Sequence, residues 1–446
     1  MKKFYSFVLL AVTLLLSTNI WAESEVVTVG DKSFTSLNGD DGAIATWIKD
    51  GGTLTLLENC QYDATATATI AKDATLDLNG KALTWNASSF NPVDVNGGVS
   101  FTIHGNASNR GSLNFVCSSS SFSPVAINIA KDGDVVSQIT IENADVVSDF
   151  VNARGTLLKG GKGGIYHIEN VVFEAKNNVK AVLQINDTNN DAIIGKDIFQ
   201  NITVKYSGVA TKAGAVSAFE IGIRNCTLED CSVKFAGVLS SASCYALKSF
   251  SGSSIFTIKG SKTNFDCNNG NSNSATMCSY SSSSGRETID VQEGVFSAPL
   301  ILGSANKDIK ITIGESVKLS TMPAYVPSLY GKSFEKIGGE DEYKDYYKIS
   351  DKAIYKFVNR TTFVPFENAS ECFEKAGSGN NICILTESTE ENDFEIPVNT
   401  NITLSEKSDN SYKGTITNRG TLSLSSANAG WNNIRIPVGG INSEHI

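Results

Sequence analysis

The sequence predicts an all-β chain wound as a parallel β-helix, and three observations predict it. Short runs alternate apolar and polar residues, separated by Ser-, Gly- and Asn-rich stretches with no helical period, such as SSSSF at 118–122. One pattern recurs with starts at Ile141, Ile168, Phe199, Leu228, Ile258, Val291 and Ile313, giving successive gaps of 27, 31, 29, 30, 33 and 22 residues. Within the copies IENADVVS, IENVVFEA, FQNITVKY, LEDCSVKF and IKGSKTNF, the residues Asn143, Asn170, Asn201, Asp230 and Gly260 share one place. These residue types tolerate left-handed backbone, so each copy reads as two short strands bent at a polar corner. A β-sandwich would show strand spacings of about 8–12 residues and no longer echo. A propeller would need longer, four-stranded repeats.

The elements follow in order. Lys2 and Lys3, an apolar run from Phe7 to Leu16 and the shoulder Ile20-Trp21-Ala22 have the layout of a secretory signal peptide over residues 1–22. That run is too short to span a bilayer. The expected location is therefore secreted or cell-surface, with a periplasmic one as the alternative, and no membrane insertion after cleavage. Phe34 to Gly52 carries a short amphipathic helix centred on Ile44, Trp47 and Ile48, which reads as a cap over the first coil at Thr53–Trp85. The β-helix with its cap is expected over residues 23–320. Thr321–Val358 changes character, with Pro323, Pro327 and the run EDEYKDYYKISDKAIYKF, and reads as a closing cap and connector over 321–358.

The start of the chain then returns in worn form. FVPFENASECFEKAGSGNN followed by ICILTES and FEIPVNTNITL matches the cap and first coil, with Leu54 against Ile382, Ile70 against Ile396 and Leu76/Leu78 against Ile402/Leu404. Residues 359–446 are expected to form a short second module of the same kind.

Stacked inward Ile, Val, Leu and Phe would make the core, because no single coil can bury its own apolar face. Asn at one bend would form a hydrogen-bonded ladder along the axis. These units and the phrase TLDLNGKAL, over roughly Thr53–Ser320, resemble the right-handed parallel β-helices of the pectate-lyase-like superfamily found in secreted bacterial surface proteins. The resemblance implies a right-handed coil. It implies no single activity, because that superfamily includes lyases, hydrolases, esterases and adhesins.

Charge narrows the partners. The chain carries 37 Lys and Arg against 47 Asp and Glu, a net −10. Removing residues 1–22 takes two lysines and no acid, which makes it −12. An acidic chain without a basic stripe argues against nucleic acid as partner. The expected partners are glycans or host-surface molecules, met by a monomer.

Catalytic patterns are mostly missing. Polygalacturonase-like hydrolases would show N-T-D, D-D, G-H-G and R-I-K in order; here Asp40-Asp41 precedes the first coil, His104-Gly105 lacks the leading Gly, and Arg435-Ile436 runs into Pro437. A lyase would need a base beside Ca²⁺ held by acids. The oxygen clusters are Asp132-Gly133-Asp134 and Asp187/Asn189/Asp191, the latter lacking the Gly and closing Glu of a calcium loop. No motif places Lys131 or Lys159 as the base. KGGKGG at 159–164 lacks the spacing of a phosphate loop and reads as a turn. No G-x-S-x-G occurs. His104, His167 and His445 lie far apart in sequence, which argues against zinc, and no cofactor is expected beyond a weak case for Ca²⁺ at Asp187, Asn189 and Asp191. Trp85, Tyr245, Tyr280 and Trp431 are the aromatics offered for stacking on sugar rings.

Nine cysteines in an exported chain suggest disulfides, with Cys372 and Cys383 the first candidate pair. Buried thiols filling a β core are the equal alternative. The expectation is a non-catalytic surface or extracellular module for binding, adhesion or structure. A polysaccharide lyase or glycoside hydrolase acting on an acidic polysaccharide is the alternative. A pair of acidic or basic residues at one strand position on adjacent coils would discriminate between them.

Overall fold

The structure is a computed structural model that describes residues 24–88, 90–118, 123–129, 136–160, 164–185, 197–208, 214–222, 224–236, 238, 241–249, 254–279, 288–302, 310–321, 323, 333–350, 355–359, 362–366, 381–385, 394–396, 398, 401–406, 415–424, 434–435 and 441–444. Almost every element is a strand, and most strands pair in parallel within one 27-stranded sheet.

The pairings sort the strands into three columns. The first runs through Gly52–Leu56, Ala74–Asp77, Ser100–His104 and Ser137–Glu142, and on through the starts of Gly164–Ile185 and Ile198–Tyr206 to Asn225–Glu229, Ile255–Lys259, Thr288–Phe296 and Lys310–Leu319. The second begins with Cys60–Asp63, Ala82–Ala87, Ser112–Cys117 and Asp145–Gly160. The third takes Ala68–Ile70, Val93–Val95 and Val125–Ile129, then the ends of Asp145–Gly160 and Gly164–Ile185, then Val216–Ile221, Cys244–Ser249 and Ala275–Ser279. Successive strands of the chain thus return to each column in turn, an arrangement compatible with a β-helix solenoid.

Register follows the apolar alternation. In the first column Leu54, Leu76, Ile103, Ile141, Ile168, Phe199, Leu228, Ile258, Val291 and Ile313 are successive partners, and all are buried. Each such side chain contributes roughly 1.5–3 kcal/mol on leaving water. A one-residue slip would turn the whole row outward, so the register is tightly held.

The corner between the first and second columns holds the polar residues read from the repeat. Asn143, Asn170, Asn201 and Asp230 have φ of 52°, 53°, 50° and 52°, and Gly260 has φ 98°. Asn170 Nδ2 donates to Asn143 Oδ1 at 2.6 Å, and Asn201 Nδ2 donates to Asn170 Oδ1 at 3.0 Å. Asp230 Oδ1 instead accepts the Lys262 N–H at 3.0 Å. A Cβ on Gly260 would come within 2.4 Å of that same oxygen, which explains the glycine that follows the carboxylate.

Antiparallel hairpins flank the parallel stack. Val27–Val29 and Lys32–Phe34 pair with one another, and Val27–Val29 also pairs antiparallel with Gly52–Leu56. The helix Ala43–Asp50 buries Ala43, Ile44 and Trp47 and stops at Gly51, φ 74°, whose N–H bonds Trp47 O at 2.8 Å. Trp47 Nε1 donates to Gly52 O at 3.0 Å, tying helix to first strand. Beyond Leu319, strands Ser333–Lys336 and Tyr347–Ser350 form a second hairpin, and Tyr347 pairs with Leu319. Tyr346 Oη lies 3.1 Å from Ser297 Oγ.

The C-terminal strands repeat the opening topology. Tyr355–Asn359 and Thr362–Phe366 form a hairpin, Asn381–Leu385 pairs antiparallel with the first of these, and Asn401–Glu406, Thr421–Leu424 and Ile441–Glu444 then stack in parallel. Val358 pairs with Phe363 and Ile382, much as Val29 pairs with Lys32 and Leu54.

Candidate functional site

The third column carries an irregularity at the same place in strand after strand. Pairing joins Val125 to Thr156 and then Ile127 to Leu158, passing over Ala126 and Leu157. It passes over Val182, Ala218, Ala246 and Thr276 in the same way. All of these skipped residues are fully buried. We read the line as a bend in the strands, with the skipped side chains turned inward. Across this corner Ser217 Oγ and Glu220 Oε1 meet at 2.6 Å.

One side of the corner is the register row Asp94, Asn128, Lys159, Gln184, Glu220 and Lys248. The other is Thr156, Ala181, Ser217 and Tyr245. Glu220 is the centre, 1 % exposed, and both its carboxylate oxygens accept hydrogen bonds. Gln184 Nε2 donates to Oε2 at 2.9 Å, while Ser217 Oγ and Lys248 Nζ donate to Oε1 at 2.6 and 3.0 Å.

Arg154 approaches from within Asp145–Gly160, two strands from Val216–Ile221. Its Nη2 donates to the Ala215 carbonyl, and a Cβ on Gly214 would strike the guanidinium, so glycine there permits the approach. Burial draws the Arg154 guanidinium below its ordinary range, and the Glu220 carboxylate opposes the shift. Tyr206 Oη donates to Ser217 O at 2.6 Å from the core side. Burial holds that phenol well above its ordinary range.

A second buried charge pair lies at another corner. Arg224 and Asp197 bond at 2.7 Å, Asp197 Oδ1 accepts the Tyr166 N–H, and Arg224 Nη2 donates to Gly164 O at 3.0 Å. The guanidinium also lies over the Tyr166 ring at 5.1 Å. Burial raises the Asp197 carboxyl, and the Arg224 charge opposes that rise. A Cβ on Gly160 or Gly164 would meet the Tyr166 hydroxyl at 2.0 or 2.6 Å. Those two glycines of KGGKGG therefore make room for a buried phenol, a reason the reading as a plain turn did not contain.

The first column presents a half-buried row of Asp77, His104, Glu142, Glu169, Gln200, Glu229 and Lys259. His104 Nδ1 and Glu142 Oε1 are 2.9 Å apart, His167 Nε2 and Glu169 Oε2 3.0 Å, and Lys259 Nζ and Glu229 Oε2 3.0 Å. Two histidines distant in sequence thus share one face. Among the described residues no group of three His, Cys, Asp or Glu is gathered to hold a metal.

Two of the aromatics offered for sugar contact are corrected. Trp85 is 1 % exposed, with Tyr62 edge-on at 4.8 Å and Phe115 at 6.2 Å, because its strand position alternates inward. Tyr245 is 7 % exposed and presents no open ring face, although it borders the corner. Tyr280, Trp431, Cys372 and the triplet Asp187, Asn189 and Asp191 lie outside the described residues, as does the Cys383 side chain. Cys60, Cys117, Cys226, Cys231, Cys244 and Cys267 are free thiols.

The corner has a signature that the 30-residue pattern obscured. Thr156-Leu-Leu-Lys159, Ala181-Val-Leu-Gln184, Ser217-Ala-Phe-Glu220 and Tyr245-Ala-Leu-Lys248 share two inward apolar residues followed by a polar one. Among the described residues no helix is long and apolar enough to cross a membrane. No family model matches the chain, no curated protein matches it, and no solved structure matches it.

Proposed function

We propose that this chain is an exported right-handed parallel β-helix of the pectate-lyase-like kind, serving outside the cell as a non-catalytic binding or structural module that contacts glycans or host-surface molecules. The supporting observation is the state of the Glu220 carboxylate. A general base must present a lone pair that a substrate can reach. Glu220 accepts from Gln184, Ser217 and Lys248 and is 1 % exposed. A carboxylate so held stiffens a corner instead of moving protons. The segment before residue 23 supports export through its Lys2, Lys3 and Phe7–Leu16 pattern.

One observation favours a second reading. Glu220 and Lys248 are an acid and a base at one position on adjacent strands, with Tyr245 beside them, as a lyase or hydrolase of acidic polysaccharide would require. The experiment applies the purified chain to a panel of acidic and neutral polysaccharides. It records retention, and product release by mass spectrometry with and without Ca²⁺. Retention without new products is the expected outcome. New oligosaccharides would replace this reading with the enzymatic one.

A further inference from the structure

We propose that Asn38 is a strand surrogate, whose side-chain amide closes the opening edge of the second column against pairing with a second copy of this chain. The closure is independent of whatever the chain binds.

Hydrogen bonding is the first argument. Cys60–Asp63 opens the second column and pairs with Ala82–Ala87, and among the described residues no strand pairs with its other side. The Ala64 N–H turns toward that partner strand, donating to Asn86 O at 3.0 Å. Backbone groups alternate along a parallel strand, so those of Gln61 and Asp63 turn the other way. Asn38 meets them there. Its Nδ2 donates to Gln61 O at 3.4 Å, and its Oδ1 accepts the Asp63 N–H at 3.0 Å. A residue of a parallel neighbour opposite Tyr62 would make the same two bonds. One amide thus takes the place of a strand.

The second argument is the loop that holds this amide. Ser36 Oγ accepts the Asn38 N–H at 3.1 Å, and the neighbouring Leu37 is buried. Ser36 O and Leu37 O accept the Ala43 and Ile44 N–H groups at 3.1 and 3.4 Å, fastening the loop to the helix start. A Cβ on Gly42 would come within 2.4 Å of Asn38 O, so glycine lets the loop close this tightly.

The third argument compares the three columns at this end. The first is closed by Val27–Val29, paired antiparallel with Gly52–Leu56. The third starts at Ala68–Ile70, against the helix Ala43–Asp50. The second has one exposed side chain in that place. An unpaired edge is a template for pairing with another chain. Antiparallel pairing of two copies about Tyr62 would set Gln61 against Asp63 of the second copy. No like charges would then be opposed, so an opened edge fits its own equivalent.

The test uses the full chain, with mass read by light scattering behind size exclusion over a wide concentration range. The variants are Asn38→Ala, Asn38→Ala/Gln61→Glu and the control Asn96→Ala, at another exposed asparagine. Gln61→Glu opposes like charges across a paired edge and so blocks it without restoring the amide. Asn38→Ala is expected to exceed the monomer mass as concentration rises, while wild type, the control and the double variant stay monomeric. Hydrogen exchange of the Asp63 amide should quicken roughly fivefold in Asn38→Ala, the loss of one hydrogen bond. A monomeric Asn38→Ala, equal association of the control, or unchanged Asp63 exchange would each overturn the proposal. Association that persists in the double variant would also overturn it, because general unfolding and not edge pairing would then be the cause. If Asn38→Ala fails to fold by circular dichroism, Asn38→Ser, too short to span both backbone groups, carries the same expectations.

Discussion

Ser217 Oγ donates to Glu220 Oε1 at 2.6 Å, although the two stand three residues apart on one strand. In a regular strand that separation places side chains on opposite faces. The contact exists because pairing passes over Ala218, between Ser217 and Phe219, and the strand bends there. The same skip in neighbouring strands turns a local kink into a corner that runs along the column.

That corner makes Glu220 expensive to remove. Glu220→Ala would leave the Lys248 ammonium, with a side chain 12 % exposed, facing a cavity without its carboxylate. Breaking a buried pair in this way costs about 3–5 kcal/mol. Glu220→Ala/Lys248→Met should recover a large part of the loss, because the buried ammonium is removed together with its carboxylate. Urea unfolding midpoints for the single and double variants measure the coupling. A double variant no better than the single one would mean that the pair is not the source of the cost.

The Asn ladder separates backbone from side-chain effects. At Asn170, φ is 53°, and its amide both donates to Asn143 and accepts from Asn201. Asn170→Gly keeps the backbone free and loses the ladder, at about 1–2 kcal/mol for two hydrogen bonds. Asn170→Ala adds the left-handed strain of a Cβ, about 1–2 kcal/mol more. Thermal melting should therefore order the proteins as wild type, then the glycine variant, then the alanine variant. The reverse order of the two variants would show that φ at this corner is not held.

These two sites also differ in how plainly they are written in the sequence. The ladder was legible because its requirement is local: a residue that tolerates positive φ, two places after an inward Ile, Phe or Leu, as in Ile141–Asn143 and Ile168–Asn170. The corner was not, because Lys159, Gln184, Glu220 and Lys248 are separated by 25, 36 and 28 residues, and loops of unequal length hide the register. A period measured on the first two columns therefore does not align the third. The buried face of Trp85 is hidden in the sequence for a related reason, since it depends on register as well as on alternation. The sequence echo of the cap begins at Phe363. Its hairpin begins at Tyr355, because YKFVNRTTF keeps the pairing of VTVGDKSF but few of its residues.

Trp47 should hold the first strands against fraying. Its ring is 1 % exposed and lies 6.1 Å from Phe101, and its Nε1 bonds Gly52 O. Trp47→Ala is expected to cost about 3–5 kcal/mol. In a stack where each strand contacts only its neighbours, the loss should be local first. Hydrogen exchange should accelerate in Gly52–Leu56 and Ala74–Asp77 well before Cys244–Ser249. Uniform acceleration along the columns would mean that the sheet unfolds as one unit.

The buried thiols set an alkaline limit on stability. Burial pushes Cys117, Cys231 and Cys244 up to about 12 from an ordinary 9.0, and holds Cys226 and Cys267 well above that value. Below about pH 9 the folded and unfolded chains both keep these protons, and the thiols do not change stability with pH. From about pH 9 to 12 the unfolded chain releases protons that the folded chain retains, so each thiol lowers stability by about 1.4 kcal/mol per pH unit. Folding stability should thus fall steeply as pH rises through this window. Replacing Cys117 and Cys231 with Ala should flatten the fall, even though the variant starts less stable. The same burial predicts labelling: iodoacetamide at pH 8 should modify the half-buried Cys60 ahead of these five. Peptide mass spectrometry before and after urea reads the order directly. Early labelling of Cys226 or Cys267 in the native protein would show that the core opens where the columns are expected to be closed.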